Sequence, residues 1–270
     1  MTLRILVPTD FSPAAGAALA VTRATFPGAH TELLHVALGR IPTQGAEVLR
    51  GRLDDLGGGT LAFGLPAQEV LRCAREGRFD LIVLGRAGRP EPGRGRLGAV
   101  AERVVRESPL PVLTVPVGTE GPRSPRVLVL MDFSPGALGV LRCVKGIWPE
   151  AEVHLLHVVD DSSLDVPFPL PGLSAPTLRG ASSRALRERN RLWEEEARRR
   201  LDELGGGEVV RGRPAEVAMR RARDGGFGLL ALGASAKGGF DRLMFGSVAA
   251  QVTREAPLPV LTAHPAGQGA

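Results

Sequence analysis

Val7-Pro8-Thr9-Asp10-Phe11-Ser12-Pro13 near the start of the chain returns past its midpoint as Leu130-Met131-Asp132-Phe133-Ser134-Pro135. Each stretch is an apolar run that breaks into a polar turn. A serine placed to cap and a proline at the first helical position then open a helix. Leu33-Leu34-His35-Val36 recurs as Leu155-Leu156-His157-Val158, and Pro109-Leu110-Pro111-Val112-Leu113-Thr114 as Pro257-Leu258-Pro259-Val260-Leu261-Thr262. Self-similarity of this kind is a duplication, and each copy tests the reading of the other.

The register locates the boundaries. Asp10 to Asp132 and His35 to His157 are offset by 122 residues, while Pro66 to Pro214, Gly85 to Gly233 and Gly98 to Gly246 are offset by 148. The second copy therefore carries an insertion of 26 residues, expected near 160–201, between Asp160 and Leu201. There a Pro/Ser/Gly loop leads into a charged stretch, Arg184–Arg200, read as a helix within the insertion. Two domains are expected, at residues 1–117 and 126–265, joined by a Pro/Gly linker at 118–125. Each is about the 100–150 residues common for a domain.

A chain that is 43% hydrophobic and 23% charged is composed like a globular protein. No apolar run approaches the roughly 20 residues of a membrane span, and the N-terminus reads directly into a strand, so a cytoplasmic location is expected. Cys73 and Cys143 stand at non-equivalent places and form no CxxC pair, which marks them as buried thiols. The basic pI of about 10.4 is carried almost wholly by arginine. The run Arg86–Arg96 has no interleaved aromatic residues for base stacking, so it reads as a solvated loop and not a nucleic-acid site.

Short Val/Ile/Leu runs alternate with amphipathic stretches in both halves. Leu3–Pro8, Thr31–Leu38, Gly59–Phe63, Asp80–Leu84 and Pro111–Val115 read as strands in the first, with helices after Ser12 and at Pro66–Glu76 and Gly98–Glu107. The second half repeats the order. Continuous apolar strands spaced by helices predict an α/β fold, two tandem doubly wound parallel five-stranded sheets covered on both faces. Packing of the halves through their last strands, Pro111–Val115 and Pro259–Thr262, would make an internal pseudo-dimer; a homodimer of chains is left open.

Ligands of such sheets sit beyond the carboxyl ends of the strands, where the winding reverses. In the first half Asp10 closes the first strand and Gly85-Arg86-Ala87-Gly88 follows the fourth, with Gly98-Ala99-Val100 nine residues on. In the second half Asp132 closes the first strand, and Gly233-Ala234-Ser235-Ala236 is followed, again after nine residues, by Gly246-Ser247-Val248. Glycines allow a tight loop and close backbone approach to a ligand. The last glycine opens a helix whose free N–H groups and dipole favour phosphate.

At these residues the chain resembles the universal stress protein family, whose nucleotide-binding members show Gly-x-x-Gly, nine residues, then Gly-Ser or Gly-Thr, with an aspartate ending the first strand. Gly64-Leu65-Pro66-Ala67 and Gly212-Arg213-Pro214-Ala215 belong to the resemblance too. It implies a Rossmann-like sheet of the adenine nucleotide alpha hydrolase type with strand order 3-2-1-4-5. It also implies paired domains, a role in stress adaptation, and binding of ATP or AMP, with Mg2+ only alongside ATP. The nucleotide would be held by Asp132, Val158, Gly233, Gly246, Ser247 and Val248 in the second half. The corresponding set in the first is Pro8, Thr9, Asp10, Val36, Gly85, Gly88, Gly98 and Ala99.

Both copies depart from the pattern. Ala99 stands where a hydroxyl would meet phosphate, and Ala236 replaces the second glycine of the other copy. The second half is expected to be the better phosphate site, and one working pocket at most is expected. Asp10 and Asp132 have a plain structural reading as caps of the following turn. His35 and His157, inside apolar strands with no triad partners, read as satisfied core or edge residues. A nucleotide-free interaction scaffold is the alternative function. An enzyme is not expected, although slow ATP hydrolysis is left open, because neither copy offers a base, metal cluster or nucleophile.

Overall fold

The computed structural model describes residues 2–39, 41–77, 79–87, 97–119, 121, 125–160, 183–234 and 245–264. The first copy runs β1 (Arg4–Pro8), α1 (Pro13–Thr25), β2 (His30–Ala37), α2 (Thr43–Asp55), β3 (Thr60–Phe63), α3 (Pro66–Glu76), β4 (Leu81–Gly85), α4 (Ala99–Glu107) and β5 (Val112–Val115). The second runs β6 (Arg126–Leu130), α5 (Pro135–Ile147), β7 (Glu152–Val159), α6 (Ser183–Glu203), β8 (Glu208–Arg211), α7 (Pro214–Asp224), β9 (Leu229–Gly233), α8 (Ser247–Glu255) and β10 (Val260–Ala263).

The strands form one ten-stranded sheet in the order β3-β2-β1-β4-β5-β10-β9-β6-β7-β8. Each half thus has the 3-2-1-4-5 order, and every pairing within a half is parallel. The halves meet where β5 and β10 pair antiparallel, Leu113 opposite Leu261. Thr114 and Thr262 each donate a side-chain hydroxyl across that seam, to the carbonyls of Val260 and Val112, both at 3.3 Å. The internal pseudo-dimer is therefore a continuous sheet.

Period-two alternation along each strand sends side chains to two layers. Ile5, Val7, Leu33 and Val83 face α1 and α2, and join Val127, Val129 and Leu155 in one core that runs beneath both copies. On the other face the copies keep separate cores, one with Leu6, Leu34 and Ile82 under α3 and α4, the other with Leu128, Leu156 and Leu230 under α7 and α8. Phe245 packs against both.

The caps form as read. Ser12 accepts from the Ala15 amide at 3.3 Å and Ser134 from the Ala137 amide at 3.2 Å, with Pro13 and Pro135 following. Helix α2 has no counterpart in the sequence reading. It carries Gly45 and Gly51 and buries only Ala46 and Leu53, so its apolar stripe is too thin to be recognised. The reading of Arg184–Arg200 needs a related correction. Helix α6 occupies the β7-to-β8 crossover as α2 occupies the β2-to-β3 crossover, and it buries Leu201 where α2 buries Leu53. It is the crossover helix of the repeat, lengthened, rather than an inserted element. The expected Pro/Ser/Gly loop, 162–183, lies outside the described residues except for Ser183, which opens α6. Among the described residues no helix is long and apolar enough to cross a membrane. Cys73 and Cys143 are free and half-buried.

Candidate functional site

The carboxyl ends of β1 and β4, and of β6 and β9, form the two switch points. At the first, the chain leaves β1 through a turn held by its own side chains. The Ser12 amide donates to Asp10 Oδ1 at 2.9 Å, and the Ser134 amide to Asp132 Oδ1 at 3.0 Å. The turn-capping role of both aspartates is therefore real, and it uses one oxygen each. Among the described residues the second oxygen of either carboxylate accepts no hydrogen bond, which leaves it open to a ligand. Asp132 is half-buried and Asp10 exposed.

Between aspartate and serine, Phe11 and Phe133 adopt φ of 60° and 61°, a left-handed conformation costly for a residue with a side chain. Both are clamped in the same way. His35 Nδ1 donates to the Thr9 carbonyl at 2.8 Å and His157 Nδ1 to the Met131 carbonyl at 2.7 Å. Their rings lie 4.6 and 5.0 Å from the phenyl centroids. Arg52 and Arg200 cover the phenyl rings at 4.0 and 4.3 Å. The histidines are thus satisfied residues that fix the turn. The Phe–Arg stacking went unread in the sequence; its signal was present, since Arg52 and Arg200 obey the 148-residue offset.

The glycines that close β4 and β9 have a packing task beside the one expected. A Cβ on Gly85 would stand 2.5 Å from the Ala14 carbonyl carbon, and one on Gly233 would stand 2.8 Å from the Ala137 nitrogen. Both glycines let α1 or α5 lie directly on the strand end. Helix packing therefore demands both glycines, independently of any ligand. Gly88 and Ala236 lie outside the described residues.

The loops return to their helices through matching bonds, the Gly98 amide to the Arg86 carbonyl at 2.8 Å and the Gly246 amide to the Ala234 carbonyl at 3.1 Å. Gly98 and Gly246 then occupy the N-cap position with no side chain to cap it. Among the described residues the first amides of α4 and α8 therefore lack a side-chain partner, the state in which a helix start attracts an anion. Ala99, Val100 and Ser247 are exposed there, and Val248 is half-buried. Val36 and Val158 lie on the same side of the sheet as α4 and α8, packed against their cores. Pro8 shares that parity. Thr9 does not: with the parity of Ile5 and Val7 it faces α1 and α2 instead, away from α4.

The switch points differ in electrostatics. Arg86, following Gly85, extends across the seam and donates to the Ala256 carbonyl at the end of α8. Its burial lowers its pKa from the ordinary value. The equivalent position in the second half is the fully buried Ala234. Among the described residues no group of three His, Cys, Asp or Glu side chains could hold a metal ion.

A paired, doubly wound α/β sheet with uncapped helix starts at both switch points defines the class of protein. The universal stress protein family model matches residues 59–116 and 124–264, and the chain belongs to that family. It is 28% identical over 207 residues to a universal stress protein of Mycobacterium tuberculosis, covering 76% of this chain and 68% of the relative. A universal stress protein of Synechocystis is 29% identical over 196 residues, 72% of this chain and 61% of the relative. Among solved structures, a universal stress protein from Archaeoglobus fulgidus superposes with a TM-score of 0.64 at 19% identity, covering 97% of this chain and 98% of that one. A functionally unknown protein from Pseudomonas aeruginosa gives 0.62 at 17% identity, covering 98% and 93%. These two likenesses concern the fold.

Proposed function

We propose that this universal stress protein is a cytoplasmic, non-enzymatic adenosine-nucleotide-binding module of stress adaptation, with its one competent pocket in the second half. The observation that carries this reading is the start of α8. Among the described residues Gly246 leaves the helix without a side-chain cap and one carboxylate oxygen of Asp132, at the end of β6, without a hydrogen bond, while Ser247 presents an exposed hydroxyl at the first helical position.

In this reading the phosphates of ATP or AMP take the Ser247 and Val248 amides and the Ser247 hydroxyl, while the open oxygen of Asp132 accepts from the adenosine. Val158 and Gly233 line the crevice between them. Mg2+ enters only with ATP, held chiefly by the phosphates. Occupancy then acts on partner recognition through the surface around α8. The first half has Ala99 in place of the hydroxyl, and so offers backbone donors alone. Those losses, Ala99 and Ala236, favour the second reading, an interaction scaffold that needs no nucleotide.

Mass spectrometry of small molecules released from the natively purified full chain separates the two when joined to a binding titration. Bound ATP or AMP supports the module. An empty protein that also gives no heat with either nucleotide supports the scaffold.

A further inference from the structure

On the opposite side of the sheet from α4 and α8, α1 and α2 of the first copy flank a solvent-open cavity of about 260 Å3 lined in part by Thr9, Phe11, Gly16, Leu19, Arg52 and Asp55, with Gly16, Arg52 and Asp55 exposed at its mouth. The second copy shows why this space is open. Gly16 corresponds to Leu138, which packs into the core, and Thr9 corresponds to Met131, which is 2% exposed. Two side-chain plugs have been removed from an otherwise repeated wall.

Gly16 is not required by the backbone. Its φ is not positive, and a Cβ there would meet nothing within 4 Å. A glycine inside a helix is nevertheless unfavourable relative to alanine. The helix carries that cost at the position facing the hole.

A third difference falls at the mouth. In the second copy Glu203 accepts from Arg199 at 2.7 Å. In the first, Gly51 replaces that arginine, and Asp55 has no cationic partner among the described residues. Arg52, stacked on Phe11, forms no ion pair among the described residues. Asp55 and Arg52, neither of them in an ion pair among the described residues, thus sit one helical turn apart beside a pocket whose matching wall in the other copy carries Leu138, packed against the core.

We infer that this cavity binds a free branched aliphatic α-amino acid. The hydrocarbon takes the space that Leu138 fills in the second copy, the carboxylate meets Arg52, and the ammonium meets Asp55. Charge recognition of both ends distinguishes such a zwitterion from a plain hydrocarbon. The cavity is below the roughly 300 Å3 at which pockets for drug-sized ligands begin, in keeping with so small a molecule.

Titration of the full-length, 15N-labelled chain with L-leucine tests this. The amides of Gly16, Leu19 and Arg52 shift together with a single Kd of millimolar order. Gly16→Leu restores the plug and weakens binding at least tenfold. Asp55→Asn, which leaves the hole intact, does so for leucine but not for 4-methylpentanoate. Isopentylamine and 4-methylpentanoate each bind the unaltered chain at least tenfold more weakly than leucine. No shift at tens of millimolar leucine overturns the inference, as does equal binding by Gly16→Leu or equal affinity for the amino acid and its one-charge analogues.

Discussion

Arg86 donates its guanidinium to the carbonyl of Ala256, joining the loop after β4 of one copy to the end of α8 in the other. The bond ties the first switch point to the seam between the halves. His264 makes a second tie, Nε2 to the Val105 carbonyl at 3.0 Å. Arg86→Met should remove one charge-assisted bond and destabilise the chain by about 1–3 kcal/mol, measured by urea unfolding. Because the halves also share a sheet and a core, NMR relaxation should report one correlation time for the whole molecule. Two independent times would contradict the continuous sheet.

Gly85 and Gly233 should matter to folding before they matter to any ligand. Alanine at either position drives a methyl into the backbone of α1 or α5. The expected cost is about 1–3 kcal/mol of stability in the ligand-free protein. Thermal unfolding of Gly85→Ala and Gly233→Ala without nucleotide checks this. Unchanged stability would return these glycines to a binding role.

The left-handed turn at Phe133 depends on stacking between Arg200 and His157. Phe133→Ala loses that support while keeping a Cβ at φ 61°. A fully buried phenylalanine loses about 3–5 kcal/mol on truncation, and this half-buried one should lose roughly half as much. Phe133→Gly should fall less far, because glycine accepts the left-handed conformation. Denaturant midpoints of the two variants rank them.

Burial raises the pKa of the Cys73 and Cys143 thiols above the ordinary value, against smaller opposing effects from Arg72 and Arg142. Both should therefore be poorer in thiolate than free cysteine near neutrality. Alkylation rates followed by mass spectrometry should lag glutathione at pH 7.5 and rise only at a more alkaline pH. Reaction faster than glutathione would contradict this.

The duplication made most of the fold legible. The alternation of strands and helices and the Ser12 and Ser134 caps follow from apolar runs, turn chemistry and the repeat itself, whereas the strand order within each half was implied by the family resemblance. Helix α2 escaped because two glycines and a two-residue stripe hide its period, and α6 was misplaced because its counterpart had been missed. The site was legible in outline only. Nothing in Gly85 or Gly233 alone tells helix packing from ligand approach, since both need the same absent Cβ. The parity that turns Thr9 away from α4 could have been counted from Ile5 and Val7, and the Phe–Arg clamps from the offset.

The central claim concerns the start of α8. Gly246 has φ −61° and ψ 143°, a conformation open to any residue. Gly246→Asp should cap the helix with its own carboxylate and place negative charge where the phosphates would sit. Calorimetry of the full chain with ATP and AMP, with and without Mg2+, provides the measurement, and a melting curve verifies the fold. The account predicts binding by the unaltered chain, a loss of about 10-fold or more for Ser247→Ala, and no detectable binding for a Gly246→Asp protein at least as stable as its parent. Undiminished nucleotide affinity in Gly246→Asp would contradict it.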